Sequence, residues 1–248
     1  MDQIYVSRDF GDKDLEGLVE RLKPGGEAND QDWQQAITVF DKRMHERFWL
    51  CIETLLDIKT EPLKPLNAAN PDRPIPKETL ITTGFAIMAL RCLLIETLQF
   101  FRAGEGPKKP HQSCRTPENC AAAAPSTRQA FISFLTECLS FERPEAKDFN
   151  DDVRNGIFHQ GETRRWVIKR DEPKDEVLRC ESIKPDQAND KVVKLYILNR
   201  TVFCKKLREW YDGYVKRLRD PNDLEATDLR QHFVAGIEHV VEMCRKSD

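Results

Sequence analysis

The sequence has no excess of basic residues. Its 39 Lys and Arg stand against 42 Asp and Glu, a net charge of −3, so bulk charge announces no polyanion partner and any nucleic-acid contact must come from a local patch. No uninterrupted apolar run approaches the roughly 18 to 20 residues of a membrane span. The closest, Ile87 to Phe101, carries Arg91 and Glu96 and reads as a buried helix, so no membrane partner is expected. Met1-Asp2-Gln3-Ile4 lacks the basic and apolar pattern of an export leader, which points to the cytoplasm. A Walker-type loop, a GxSxG elbow and an HExxH helix are all absent, so those enzyme signatures do not compete.

Cysteine is present eight times, yet no CxxC pair exists. In a reducing compartment, Cys51, Cys92, Cys138 and Cys204, each within an apolar helical pattern, read as small buried hydrophobes. His111, Cys114 and Cys120 share a loop that zinc might use, but a fourth ligand is not evident, and neither metal nor cofactor is expected.

The 248 residues suffice for one substantial domain with a real core. The pattern predicts a mainly α chain. Residues 1 to 30 are polar and read as an appendage, with a short helix from Asp12 to Leu22 before Pro24-Gly25-Gly26. From residue 31 onward a helical domain is expected. Apolar residues at three- and four-residue spacing give a long first core helix over Asp32 to Lys59. A proline-rich loop, Glu61 to Pro76, separates it from the most apolar segment, Glu78 to Arg102, which stops at Gly104. Ser126 caps a third helix reaching about Phe141, and a fourth runs from about Ala146 to Gln160. The period then changes. Arg165 to Lys169, Val177 to Ile183 and Val192 to Leu198 suit strands of a small antiparallel sheet, a hairpin or three-strand insertion at about 164–198. Helices from Asn199 to Arg219 and onward to Arg245 complete the chain.

Chemistry-bearing residues concentrate in the fourth helix. At about 100° per residue, Phe149, Val153 and Ile157 form an apolar stripe, while Asp148, Asp152, Asn155 and His159 project to the other side, with Arg154 at its edge. His159 is therefore off the apolar stripe, which weakens its reading as a packed core histidine.

Arg154-Asn155-Gly156-Ile157-Phe158-His159, an arginine with a polar residue after it and a histidine five positions on, resembles the motif of the HEPN superfamily (higher eukaryotes and prokaryotes nucleotide-binding domains). Gln160-Gly161-Glu162-Thr163 and the upstream run Leu93 to Leu98 are similar to its bacterial members. The resemblance implies an antiparallel helical bundle and a homodimer in which two motif helices meet. It also implies an RNA substrate, cleaved by a toxin or defence enzyme with an antitoxin or regulatory partner.

The residues suit metal-independent RNA cleavage, because the ribose 2′-hydroxyl already lies beside the phosphate. His159 would move the proton, and its place near a helix end favours the imidazolium. Arg154 would stabilise phosphorane charge, and Asn155 would orient His159 or donate to a phosphate oxygen. Arg164, Arg165 and Lys169, just beyond the motif, are candidate RNA-backbone contacts, while Trp166 reads as core. Glu96 and Asp151 are candidate supports for Arg154. For Glu96 the blander alternative is an ion pair elsewhere or a place at the helix edge. The acidic surroundings, Asp148, Asp151 and Asp152, would repel phosphate unless they are paired. The competing function is a non-catalytic helical nucleotide-binding or interaction module, in which Arg154 pairs with Asp151 or Glu96 and His159 is structural.

Overall fold

The computed structural model describes residues 5–7, 10–23, 29–57, 83–104, 126–170, 176–183, 193–223 and 226–245. The loops carrying the prolines before residue 77 and carrying His111, Cys114 and Cys120 lie outside these residues. The fold is mainly helical with a small three-strand sheet. In chain order come β1 (Tyr5–Ser7), β2 (Phe10–Gly11), α1 (Asp12–Leu22) and α2 (Asp30–Met44). A π-helical segment, His45–Trp49, joins α2 to α3 (Leu50–Asp57). Then follow α4 (Gly84–Ala103), α5 (Thr127–Cys138) and α6 (Arg143–Asp148), with a second π segment, Phe149–Arg154, leading into α7 (Asn155–Gln160). Strands β3 (Trp166–Lys169), β4 (Leu178–Ile183) and β5 (Val193–Asn199) precede α8 (Arg200–Arg219) and α9 (Thr227–Arg245).

The N-terminal helix is no appendage. Leu15, Leu18, Val19 and Leu22 recur on one face of α1 and are all buried, because that face packs on α9 and α2. Glu16, Glu20 and Arg21 occupy the other, exposed face. Arg21 crosses to Asp32, Nε to Oδ1 at 3.0 Å, tying α1 to the capped start of α2.

The expected long first helix runs without a break from Asp30 to Asp57 through its π segment. Cys92 and Cys204 are buried as expected, Cys138 is partly so, and Cys51 is exposed. Burial pushes the Cys204 thiol up to about 11. α4 is 20 residues long with mean hydropathy 1.6, enough by length and composition to cross a membrane, which the sequence reading had excluded on account of Arg91 and Glu96. Half of that apolar window is buried in the fold. Arg91 is interior, whereas Phe85 and Leu93 are each 42% exposed.

The sheet departs from an antiparallel hairpin. Its order is β3-β5-β4, with β3 parallel and β4 antiparallel to β5. Tyr196, Ile197 and Leu198 of β5 are all buried, so that strand is covered on both faces and takes the centre, while β3 carries exposed Val167 and lies at an edge. Trp166 of β3 is core, as expected. It stacks on Tyr196 at 4.5 Å and meets Phe149 edge-on at 5.2 Å.

Candidate functional site

The helix carrying the motif starts three residues before the expected point, at Arg143. Pro144 sits in its first turn, where the missing N–H costs nothing, and Glu142 with Glu145 forms its capping box. Its middle is the second π segment, in which Asn155 N–H bonds the Asn150 carbonyl, five residues back instead of four. That wider turn changes the face count. Phe149 and Val153 are fully buried as the stripe predicts, but so are Asn150 and Asp152, and Asp152 had been assigned to the solvent side.

Asp152 is neutralised from the loop beyond the helix. Arg165 Nε donates to its Oδ2 at 2.9 Å, and Arg165 Nη2 also lies 3.4 Å from Asp148 Oδ1. Tyr196 donates its hydroxyl to Asp148 Oδ2 at 2.9 Å. Burial first, and this bond second, push the Tyr196 phenol above its ordinary value. Asp151 takes two hydrogen bonds from Arg128 of α5, which hold its carboxyl below the ordinary value. Each of the three acids therefore has a cationic partner, and the acidic surroundings are already satisfied within the fold. Of the basic candidates, Arg165 is a tie between strand and helix. Arg164, at a positive φ of 46°, has Nε 3.2 Å from Gln160 Oε1, and Lys169 is exposed on β3.

Arg154 takes Glu96, not Asp151, as its partner. Its Nε donates to Glu96 Oε1 at 2.7 Å, and Nη2 lies at the same distance from that oxygen. Nη1 donates to Asn155 Oδ1 at 2.8 Å, and the guanidinium lies over the Phe158 ring with its carbon 5.3 Å from the centroid. Arg154 is thus fixed in place yet only partly covered, its side chain being 23% exposed. Phe158, one turn beyond Arg154 on the same face, was not singled out from the sequence. Its i, i+4 spacing carried the signal.

His159 is exposed near the C-terminal end of α7, and its ring has no hydrogen-bond partner among the described residues. Two glycines shape that end. A Cβ on Gly156 would strike the Glu162 carbonyl oxygen, so only glycine lets the chain fold back there. Gly161 adopts φ 68° and donates its N–H to the Gly156 carbonyl, which also accepts from Glu162. The structure thus brings Glu96, Arg154, Asn155 and Phe158 into one cluster, places His159 further along the same helix, and sets Asp151 apart from Arg154. Among the described residues no group of three or more His, Cys, Asp and Glu could hold a metal ion. No protein-family model, curated protein or solved structure matches the chain.

Proposed function

We propose that the chain is a HEPN-like endoribonuclease that cleaves RNA by attack of the ribose 2′-hydroxyl on the adjacent phosphate. The observation that carries this reading is the anchored Arg154 on the same helix as His159, which is exposed and unpartnered among the described residues. Glu96 takes Nε and Nη2 and Asn155 takes Nη1, so each terminal nitrogen keeps one N–H without a partner among the described residues, and these two can meet phosphate oxygens. Fixing the fork beforehand reduces the entropy lost when a phosphate is bound.

In the reaction, His159 takes the 2′-hydroxyl proton as the oxygen attacks phosphorus. Arg154 stabilises the added negative charge, and the 5′-oxygen leaves with a proton, producing a 2′,3′-cyclic phosphate. One histidine does not readily serve both proton transfers. A homodimer through the motif helix supplies a second, and the exposed Leu93 and Phe158 beside the Glu96–Arg154 pair support such a contact.

The second reading, a non-catalytic interaction module, draws on the same Glu96–Arg154 bond, since a part-buried ion pair also joins α4 to the second π segment structurally. The two are separated by incubating a mixed tRNA and mRNA pool with the purified protein in a chelator, beside His159→Ala. The enzyme reading expects cleavage by the parent and none by the variant. A folded parent protein that leaves the RNA whole supports the module.

A further inference from the structure

Where α4, the first π segment and α8 pack together, the interior holds a cation that makes no ion pair among the described residues, Glu53 acting on it only from a distance. Arg91 is 2% exposed, and among the described residues no Asp or Glu lies within ion-pair distance of it. Its Nη1 donates to the Cys204 carbonyl at 3.3 Å, and its guanidinium carbon stands 5.9 Å from the centre of the Trp49 ring. Arg200, 6% exposed, is close enough to act on it electrostatically. Burial above all, together with Arg200, pushes the Arg91 guanidinium below its ordinary value. A buried charge in these surroundings is costly unless something of opposite sign compensates it.

The unsatisfied polar atoms indicate what that something is. Arg91 Nε and Trp49 Nε1 are both buried without a hydrogen-bond partner among the described residues. Both are donors. The complement of two donors and a buried cation without an ion-pair partner is a negatively charged acceptor with several oxygens, which is the chemistry of phosphate and sulfate. Arg208 links the cluster to solvent, because it stands 4.8 Å over the same Trp49 ring while its side chain is 40% exposed and paired with Asp212 and Glu53.

This place is separate from the motif. Arg91 precedes Glu96 by five residues, about 7.5 Å along α4 and roughly 140° around it, so it faces α8 while Glu96 faces α7. We propose that Arg91 is the centre of a buried oxyanion site that takes free phosphate or the terminal phosphate of a nucleotide, with Arg91 Nε and Trp49 Nε1 as its donors. The proposal does not depend on RNA cleavage.

The test is calorimetric titration of the full chain with inorganic phosphate and, separately, with adenosine 5′-monophosphate, against sodium chloride of equal ionic strength. The parent protein is expected to bind saturably. Trp49→Phe, which keeps the ring and loses the donor, should bind about tenfold more weakly, and Arg91→Met should not bind. Tighter binding of the nucleotide than of phosphate identifies a nucleotide terminus, and equal or weaker binding identifies the free ion. The proposal fails if the parent protein shows no binding beyond the chloride control. It also fails if both variants bind like the parent, which would mean an adventitious ion only. Should Arg91→Met not fold, the parent and Trp49→Phe titrations still decide.

Discussion

The two halves of the motif helix use charge in opposite ways. From Asp148 to Val153 each acid is turned toward a partner, Arg165, Arg128 or Tyr196, and the aromatic Phe149 joins the core between Phe203 and Trp166. From Arg154 to Gln160 the polar groups lie at or near the surface, Arg154 and Asn155 partly covered, and His159 meets no partner among the described residues. The first half spends its polar side chains on holding the helix down. The second keeps Arg154 partly uncovered and His159 exposed, and that difference makes the comparison testable by separating stability from activity.

The largest stability loss is expected from Phe149→Ala. Removing a fully buried ring among Phe131, Phe141, Phe203 and Trp166 should cost about 3–5 kcal/mol in a denaturant titration. Next comes Asp152→Ala, which strands Arg165. Since Arg165 is 43% exposed and can turn to water, the loss should be about 1–3 kcal/mol. Arg154→Ala should cost no more than about 1 kcal/mol, because the Glu96 carboxylate it leaves is 24% exposed and can hydrate. The comparison breaks if Arg154→Ala destabilises the fold as much as Asp152→Ala does.

A smaller effect is expected in acid. The carboxyl of Asp151 is held down by Arg128, so its contribution is present above the ordinary value of 3.8 and is lost as the pH falls through the lower folded value. Arg128→Ala should flatten that part of the stability curve, read as melting temperature between pH 5 and pH 2. An unchanged curve would show that the pair contributes nothing. Smallest of all, His159→Ala should change stability by no more than about 0.5 kcal/mol, as an exposed ring without partners has little to lose.

Much of this was legible in the sequence, for identifiable reasons. Helical apolar spacing located α2, α4 and α5, the cap at Ser126 and the stop at Gly104 located ends of α5 and α4, and α8 and α9 were expected close to where they lie. Arg154, Asn155 and His159 stood out from residue type and spacing, and Glu96 was a candidate because a carboxylate in an apolar helix needs a partner. The π segments were not legible. A single residue's shift in bonding leaves no mark in composition, yet it turned Asp152 inward. Strand order was hidden too, since it follows from β5 being covered on both faces, which depends on packing against distant helices. The Tyr196–Asp148 bond spans 48 residues and has no local signature. Charge on one face of α1 concealed the apolar face that places it in the core.

If the exposed half of the helix is chemical and not structural, stability and cleavage separate when both are followed in the same proteins. Melting temperature and RNA cleavage in a chelator are measured on the same preparations of parent, His159→Ala and Arg154→Ala protein, with end groups of the products identified. The account predicts cleavage by the parent leaving 2′,3′-cyclic phosphate, and loss of cleavage in both variants while each melts within a few degrees of the parent. Cleavage that survives in a folded His159→Ala protein, or a folded parent dimer that cuts no RNA, would contradict it.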